Sequence, residues 1–469
     1  MPEKTLSHSK LLDEYRLIMR NEGLHDLIIE TFIFYLHQVI LGITGKLTRS
    51  EIEPPDESNL VDYGDLKHTT RENLDKLVII KLNGGLGTSM GLKKAKSLLP
   101  VKDNLNFLDI ITRQVLDIRG RTDKKIPLIF MNSFNTNEDT LRYLEKYPNL
   151  GLFNVPYSFT QNKYPRITKD TMQPFKHPED SNQNWNPPGH GDIYMAMIIS
   201  GVLRRLLEAE IEYAFISNSD NLGAVADERI LNYMVENDIP FLMEVCRRTE
   251  IDKKGGHLAQ NFANQLVLRE VAQCPADELN EFQDIELYKY FNTNNLWINL
   301  KILKKYMEEN NNLFLLPLIR NDKNVDGTPV IQIETAMGAA ISMFAGSKAL
   351  VVPRERFAPV KKTNDLLTIW SDAYQLTDDN RIALDEQCEQ IPTVILDERY
   401  YRTIDDLQKR FPDGAPSLKK CRRFEVIGDI RFGEDVVVKG DVKLEAREPA
   451  FLFNVTLDED RVFNSSLYE

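Results

Sequence analysis

The sequence LVIIKLNGGLGTSMGLKKAKS, residues 77–97, runs from a strand-length apolar segment into a loop that is almost free of side chains. Glycines stand at positions 84, 85, 87 and 91, and lysines follow at 93, 94 and 96. Glycine permits positive φ and lets backbone N–H groups approach a ligand without a Cβ in the way. The stretch therefore predicts a phosphate-binding loop after a buried strand, with a tight turn in an α/β domain as the alternative.

Two common phosphate-binding motifs are excluded by single positions in this loop. Walker A requires a lysine directly after its last glycine, whereas Leu92 follows Gly91. The dinucleotide-binding fingerprint requires a third glycine where Met90 stands. The loop therefore disfavours both a P-loop kinase and a Rossmann-type dehydrogenase.

Strand-length apolar segments recur along the chain at residues 77–82, 127–133, 213–217 and 240–245, with helical patterns such as 107–118 and 137–147 between them. This alternation predicts an α/β fold with a Rossmann-like, mixed and mostly parallel sheet that is covered on both faces. Ligands of such sheets bind outside the carboxyl ends of the strands. We therefore expect the loops that follow these strands to converge on one site.

The two ends of the chain have a different pattern. Residues 1–50 carry apolar side chains at helical spacing, and residues 51–65, which contain Pro54 and Pro55, are predicted as a linker. Residues 426–444 place Gly-Asp pairs at 428–429 and 440–441, with alternating apolar positions between them. This pattern favours short, repeatedly turning strands, as in a left-handed β-helix or a small β-roll, over an ordinary hairpin.

The composition and the net charge argue against some classes of partner. The chain has 469 residues, 42% of them apolar, which suffices for two or three domains. Lys and Arg total 58 and Asp and Glu 71, and the net charge of −13 argues against nucleic-acid and anionic-membrane partners. The four cysteines form no CxxC pair, and the amino terminus lacks a signal-peptide pattern. We therefore expect a cytoplasmic protein in a reducing compartment.

Two further loops carry candidate functional residues. NPPGHGDIY, residues 186–194, is by itself most simply a turn with a surface histidine. FISNSDNLGA, residues 215–224, ends a predicted strand in Asn218-Ser219-Asp220-Asn221. A carboxylate there can hold Mg²⁺ together with phosphate oxygens, or it can cap the next helix. The residues alone leave both interpretations open.

The string L-x-G-G-x-G-T-x-M-G at residues 82–91, with Lys96 five residues on, resembles the signature of the sugar-nucleotide pyrophosphorylases, specifically the UTP–glucose-1-phosphate uridylyltransferase family. Ala95 stands where that family usually has proline, which loosens the local backbone but keeps Lys96 in place. Further matching strings, including MNSFNT at 131–136, extend the resemblance over about residues 60–375. The C-terminal region matches more weakly, through its β-helix pattern.

The resemblance implies a nucleotidyltransferase core of the GT-A-like type. It divides the chain into an N-terminal helical segment (1–60), a catalytic domain (61–385) and a C-terminal left-handed β-helix-like domain (386–469). It implies catalytic roles for Lys96 and Lys361 and a magnesium ligand in Asp220. The implied substrate contacts are Leu82, Asn83, Gly84, Gly85, Gln161, Gly189, His190, Asn218, Lys254, Gly256, Asn294, Asn295 and Glu334.

The resemblance also implies the reaction of UTP with α-D-glucose 1-phosphate to UDP-glucose and diphosphate, with Mg²⁺ as cofactor. Gln161 and Gly189 would contact the nucleoside, His190 the sugar phosphate, and Glu334 the hexose. The sugar phosphate is already an anionic nucleophile, so cations, donors and positioning are what the protein must supply.

Three alternatives stay open on sequence grounds. The first is a pyrophosphorylase for N-acetylglucosamine or for a broad range of UDP-sugars, although the GGLG loop is more similar to the glucose enzymes. The second is a non-catalytic sugar-nucleotide sensor, which the joint retention of Lys96, Asp220 and Lys361 disfavours. The third is a scaffold that self-associates through the C-terminal region.

Overall fold

The computed structural model describes residues 2–67, 71–464 and 467–468, with the side chains of 2–7 and 467–468 left undescribed. The α-helices are α1 (Pro2–Asn21), α2 (Asp26–Ile40), α3 (Phe107–Thr122), α4 (Asn137–Leu144), α5 (Ile193–Ile199), α6 (Val202–Glu208), α7 (Glu228–Glu236), α8 (Leu279–Phe282), α9 (Leu300–Glu309), α10 (Thr363–Trp370), α11 (Glu398–Tyr401) and α12 (Ile404–Arg410).

The strands of the first half are β1 (Ile52–Glu53), β2 (Leu60–Asp62), β3 (Leu77–Asn83), β4 (Pro100–Lys102), β5 (Leu105–Asn106), β6 (Leu128–Asn132), β7 (Ser158–Thr160), β8 (Tyr164–Pro165), β9 (Ile167–Thr168), β10 (Trp185–Asn186), β11 (Tyr213–Asn218) and β12 (Phe241–Arg247). Those of the second half are β13 (His257–Asn261), β14 (Leu266–Arg269), β15 (Tyr290–Asn299), β16 (Ile319–Val325), β17 (Thr328–Glu334), β18 (Lys348–Val351), β19 (Tyr374–Leu376), β20 (Ile382–Leu384), β21 (Thr393–Leu396), β22 (Ser417–Ile427), β23 (Ile430–Phe432), β24 (Val437–Ala446), β25 (Ala450–Leu452), β26 (Thr456–Leu457), β27 (Arg461–Phe463) and β28 (Leu467–Tyr468).

The central sheet has the strand order β2-β18-β12-β15-β11-β3-β6-β7. Along this path β15 runs antiparallel to both neighbours, and the other adjacent pairs are parallel. The prediction of a mixed, mostly parallel sheet is confirmed. The four predicted strands correspond to β3, β6, β11 and β12, and the two predicted helices to α3 and α4.

Strand β3 lies in the middle of the sheet and is buried along its whole length. Its even-numbered residues Val78 and Ile80 share one apolar core with the N-terminal helices α1 and α2 and with α5, α6 and α9. Its odd-numbered residues Leu77 and Ile79 share the opposite core with α3, α7 and α10. A strand buried on both faces has no polar alternation, which is why residues 77–80 form a continuous apolar run.

The prediction of helices over residues 1–50 is confirmed for the described residues up to Ile40. The prediction that 51–65 is only a linker is wrong, because β1 pairs with β13 and β2 forms an edge of the central sheet beside β18. Two- and three-residue strands among prolines and charged residues carry too short a pattern to be recognised by alternation. Among the helices of the described residues, none is both long and apolar enough to cross a membrane.

The C-terminal region is built from parallel pairs. Strands β21, β22, β24 and β26 lie side by side in parallel, with β27 also on β24, and β23, β25 and β28 form a second parallel group. The alternative of an ordinary hairpin at 426–444 is excluded, because β22 and β24 are parallel. Gly428 has φ of 92°, and a Cβ at this position would lie 2.2 Å from the Ala446 carbonyl oxygen.

We predict that Gly428→Ala lowers the free energy of unfolding by about 2 kcal/mol more than Gly414→Ala does, measured by denaturant titration. Gly414 is a matched control because its φ is also positive, at 102°, but no atom lies within 4 Å of the position that its Cβ would take. Equal effects of the two substitutions would show that the close approach to Ala446 adds nothing beyond backbone strain.

Candidate active site

Three parallel strands of the central sheet end side by side. Leu82 on β3 is in register with Asn218 on β11, and Asn83 is in register with Asn132 on β6. The buried Asn83 side chain donates to the Asn132 amide oxygen over 2.8 Å and to the Thr140 hydroxyl over 2.9 Å. Its amide therefore holds the strand ends together, and a contact from Asn83 to a ligand would have to come from its backbone.

The glycine-rich loop closes on itself directly after β3. The backbone N–H of Lys96 donates to the Gly85 carbonyl over 3.1 Å, and Leu86 forms a bridge with Ala95. A Cβ on Gly84 would lie 3.1 Å from the Gln161 amide, so Gln161 sits directly against the loop. No atom lies within 4 Å of a Cβ position on Gly85, which leaves that part of the backbone open to a ligand.

Lys96 meets Asp220 across the carboxyl ends of β3 and β11. The Lys96 Nζ lies 2.6 Å from Asp220 Oδ2, and both side chains are partly buried. The other carboxylate oxygen, Asp220 Oδ1, is buried and has no hydrogen-bond partner among the described residues. A buried acceptor without a partner costs free energy, so this oxygen is suited to a ligand that supplies positive charge.

Asp220 is the residue here that fits a magnesium ion. Mg²⁺ is commonly held by one or two carboxylates together with substrate phosphates and water. Within the described residues no three acidic, histidine or cysteine side chains cluster as a complete metal cage. The unpartnered oxygen of Asp220 beside the open glycine-rich loop is consistent with the first arrangement.

Residues 219–226, which we call the Asp220 loop, are joined to the segment that carries Lys361. The backbone N–H of Val360 donates to the Asp220 carbonyl over 3.0 Å, and Asn221 bridges to Pro359. Lys361 is exposed, and its Nζ lies 5.7 Å from the centre of the Phe357 ring. The structure thus brings Lys96, Asp220 and Lys361 to one region.

A buried ion pair underlies this junction, and sequence reasoning missed it. The Arg356 guanidinium donates to both carboxylate oxygens of Glu244, over 2.7 and 2.6 Å. Trp297 also donates to Glu244, over 2.8 Å. The members of this network come from three separate parts of the chain, at Glu244, at Asn295 and Trp297 on β15, and at Arg356, so no local motif indicates them.

Asn295 belongs to this buried network. Its side-chain amide donates to Glu244 over 3.0 Å and to the Arg356 carbonyl over 3.1 Å, and its oxygen accepts from Asn221 over 3.2 Å. Every hydrogen bond of this fully buried amide therefore goes to protein groups. This differs from the expected contact with a sugar hydroxyl and gives Asn295 a supporting position.

The loop at 189–191 packs against the end of β17. Gly189 has φ of 80°, and a Cβ there would lie 2.4 Å from the Thr335 carbonyl oxygen, so glycine is required. Glu334 precedes Thr335, and its β-carbon is 3.3 Å from the same Cβ position. Gly189, His190 and Glu334 thus lie close together, and burial raises the pKa of the Glu334 carboxyl.

His190 is held in one tautomer. Its Nδ1 accepts a hydrogen bond from the Met337 backbone N–H over 3.0 Å, which leaves the proton on Nε2. Burial lowers the pKa of His190 to about 4. At neutral pH the ring is therefore uncharged and can donate from Nε2.

The remaining predicted residues lie around β13 and β15. Asn294 has φ of 59° and sits in a β-bulge where β15 carries two extra residues opposite β12. Gly256 is buried, and a Cβ there would lie 2.6 Å from the Glu270 carboxylate. Lys254 is exposed nearby in the chain. Bulges commonly redirect side chains at functional sites, which suits Asn294.

Glu270 is a second candidate that sequence reasoning missed. Burial raises the pKa of its carboxyl, and the charge of Lys361 opposes that shift. Its carboxylate therefore lies against Gly256 and within electrostatic range of Lys361. The string LREVAQ around Glu270 carries no recognisable signal, since a single acidic residue after a strand is common.

Most of the chain matches one known protein family. The family model described as UTP–glucose-1-phosphate uridylyltransferase matches residues 29–439. The chain belongs to this family. The match spans the glycine-rich loop, the Asp220 loop, the Lys361 segment and the first part of the C-terminal parallel strands.

Relatives and solved structures agree with this assignment. The chain is 39% identical to UTP–glucose-1-phosphate uridylyltransferase of Musa acuminata, covering 89% of both chains. It is similar to a mutant of UDP-glucose pyrophosphorylase from Leishmania major in complex with UDP-glucose, with 42% identity, a TM-score of 0.90 and coverage of 97% of this chain and 99% of that one. A Trypanosoma brucei UDP-glucose phosphorylase gives 42% identity, a TM-score of 0.86 and coverage of 98% of this chain and 99% of that one.

We predict that Gly85→Ala changes the free energy of unfolding by no more than about 0.5 kcal/mol, because its Cβ meets no neighbour, yet weakens UTP binding about tenfold. The binding loss is expected because the new methyl group occupies space that a nucleotide needs. Calorimetric titration with UTP measures it, with Gly120→Ala in α3 as a control that also has an open Cβ position. Wild-type UTP affinity in Gly85→Ala would remove the glycine loop from the binding site.

Proposed function

We propose that this chain catalyses the reversible reaction of UTP with α-D-glucose 1-phosphate to give UDP-glucose and diphosphate. The observation that carries the proposal is the Lys96–Asp220 contact of 2.6 Å beside an open glycine loop, with one oxygen of Asp220 left unpartnered among the described residues. Membership of the uridylyltransferase family supports the same reaction.

The chemical difficulty is to bring two polyanions together. The phosphate of the sugar attacks the α-phosphorus of UTP, a new P–O bond forms, and the bond to the leaving diphosphate breaks. No proton has to be removed from the nucleophile, so no general base is needed. What lowers the barrier is in-line positioning and positive charge at the reacting oxygens.

The cations of the site divide this task. We assign Lys96 to the phosphates of UTP, because it is next to the glycine loop, and Lys361 to the charge that grows at the reacting phosphorus. The backbone N–H groups of Gly84 and of the open Gly85 suit the nucleotide phosphates. Neutral His190 would donate from Nε2 to the sugar phosphate without adding a titrating charge at neutral pH.

Asp220 is the residue proposed to hold magnesium. When bound, Mg²⁺ neutralises phosphate charge and orients the phosphate oxygens. In its absence Lys96 partly neutralises Asp220, so binding of the substrates would require this ion pair to be exchanged for contacts with phosphate. The pair thus keeps a buried carboxylate stable until ligands arrive.

The nucleoside and the hexose would be recognised by neutral and acidic groups. Gln161, lying against Gly84, can both donate to and accept from the edge of uracil. Asn294 on the β-bulge and the carboxylates of Glu270 and Glu334 suit sugar hydroxyls, which donate and accept at once. Lys254, Gly256 and Asn218 are proposed as further contacts around them.

We also propose the finer organisation expected from sequence. The boundaries at residues 60/61 and 385/386 would separate the helical segment, the catalytic domain and the C-terminal domain. The parallel groups of that last region support a β-helix, for which we propose the left-handed form. A cytoplasmic location and self-association through this region are part of the same proposal.

The test is diphosphate release from UTP and Mg²⁺ with glucose 1-phosphate, galactose 1-phosphate and N-acetylglucosamine 1-phosphate in parallel. Release with glucose 1-phosphate alone is the expected result. Release with all three would replace the proposal by a broad-specificity pyrophosphorylase. Binding of UTP without release from any sugar would replace it by a sensor.

We predict that Lys96→Ala reduces turnover by about 10²- to 10³-fold, because one fixed cation is removed from a polyanionic site. The control is Lys94→Ala, which removes an exposed lysine from the same segment and should leave turnover within about twofold. Initial-rate measurements of diphosphate release distinguish them. Near-wild-type turnover in Lys96→Ala would remove this residue from the mechanism.

We expect the adjacent residues Lys361 and Lys362 to differ in their contribution to turnover. Lys362 forms an exposed ion pair with Glu398 at 2.5 Å. Exposed ion pairs of this kind contribute little to the free energy of folding. Lys361→Ala should lower kcat about 10²-fold with a smaller effect on the KM for UTP, whereas Lys362→Ala should change kcat by less than about threefold. The reverse order in a steady-state comparison would exchange the two assignments.

A further inference from the structure

A buried lysine lies in the strand that leads into the glycine loop, and the proposed mechanism gives it no role. Lys81 on β3 is 2% exposed. Its Nζ donates to the Ser217 hydroxyl over 2.7 Å and to the Ala224 carbonyl over 2.7 Å. Both acceptors are neutral and buried, and the amine makes no hydrogen bond to a carboxylate within the described residues.

A lysine in this position costs free energy of folding, because its ammonium group loses its hydration. Burial, and then the nearby charge of Arg356, lower the pKa of Lys81 to about 7. An apolar residue would fill the same space without this cost. The contacts of Lys81 therefore have to account for its presence, and they point to the Asp220 loop.

The two acceptors belong to different parts of the fold. Ser217 lies opposite Lys81 in the parallel β3–β11 pair. This bond therefore joins two strands that their backbone hydrogen bonds already hold together. Ala224 lies in the Asp220 loop, four residues after the carboxylate. The next carbonyl, that of Val225, accepts from the Arg356 guanidinium over 3.0 Å.

Two buried cations thus hold two successive carbonyls at the far end of the Asp220 loop. The near end is fixed by β11 itself and by the bond from Val360 N–H to the Asp220 carbonyl. Asn221 is held by bonds from its side-chain amide to Asn295 and to the Arg356 carbonyl. Without Lys81, the Ala224 carbonyl would lose the donor that reaches it from β3. Among the residues that the structure describes, the far end of the loop would then be held by Arg356 alone, which loosens the loop on which Asp220 stands.

We propose that Lys81 is a positioning residue that fixes the Asp220 loop to β3 and thereby sets where the Asp220 carboxylate lies relative to the glycine loop. It acts through Asp220 and does not touch the substrates. The consequence for ligand binding rests on the proposed function, whereas the consequence for the loop does not.

The test compares Lys81→Met with the wild-type chain by amide hydrogen exchange in the absence of ligands. Methionine is similar in length and lacks the donor. Exchange should become at least about tenfold faster in residues 219–226 and at Val360, whose amides report on the loop. Titration with UTP and Mn²⁺, followed by electron paramagnetic resonance of the metal, should show about tenfold weaker metal binding.

Two control variants distinguish an effect on the Asp220 loop from a general loss of stability. Arg119→Met removes a partly buried cation that donates to the carbonyls of Ile126, Asn149 and Leu150, away from the Asp220 loop. It should destabilise the fold yet leave loop exchange and metal binding unchanged. Ser217→Ala keeps the bond from Lys81 to Ala224 and should leave metal binding within about threefold of wild type.

Unchanged exchange in residues 219–226 of Lys81→Met would overturn the proposal, as would an equal effect from Arg119→Met. If Lys81→Met does not fold, Lys81→Gln, which keeps a shorter donor, must show faster loop exchange for the proposal to stand. A wild-type chain that binds no UTP would defeat the proposed function, while the exchange comparison would still decide the role of Lys81.

Discussion

The Glu244 carboxylate is a charge buried in the middle of the central sheet, and the arrangement of the site depends on how it is neutralised. Arg356 pairs with both of its oxygens, and Trp297 and Asn295 donate to the same group. Removing one member of such a buried pair leaves an uncompensated charge and costs about 3–5 kcal/mol. The pair therefore fixes where the chain from Arg356 to Lys361 leaves the sheet.

The cations of this region divide into two groups. Lys81 and Arg356 are buried and bind groups of the protein itself, whereas Lys361 is exposed and Lys96 partly so. The inner pair donates to backbone carbonyls of the Asp220 loop, and the outer pair is accessible to solvent, as the proposed reaction between polyanions requires. This division explains how a chain with a net charge of −13 can still offer local positive charge to a polyanion.

Sequence predicts the parts of this arrangement that are local. The apolar run of β3 and the glycines after it suffice for the sheet, the loop and its position at the carboxyl end of a strand. Asp220 follows in the same way from the end of β11. The Glu244–Arg356 pair and the bond from Lys81 to Ala224 could not be found, because their members are far apart in the chain.

Two asparagines show why residue type alone does not identify a substrate contact. Asn83 and Asn295 have the polar character of substrate contacts, yet both side chains are buried and bonded to protein groups. An amide in a motif can bind a ligand or hold two strands together, and residue type does not distinguish these uses. Edge strand β2 was missed for a different reason, since three residues are too few to show a period.

The position of β2 has a consequence for how the chain acquires its fold. Leu60 pairs with Ala349 in the parallel β2–β18 edge, and the Tyr35 hydroxyl donates to the Leu316 carbonyl in a buried contact. Both segments thus leave the ribosome before their partners are synthesised. A large share of non-local contacts of this kind slows folding. The β2 edge of the central sheet therefore forms only after β18 has been synthesised.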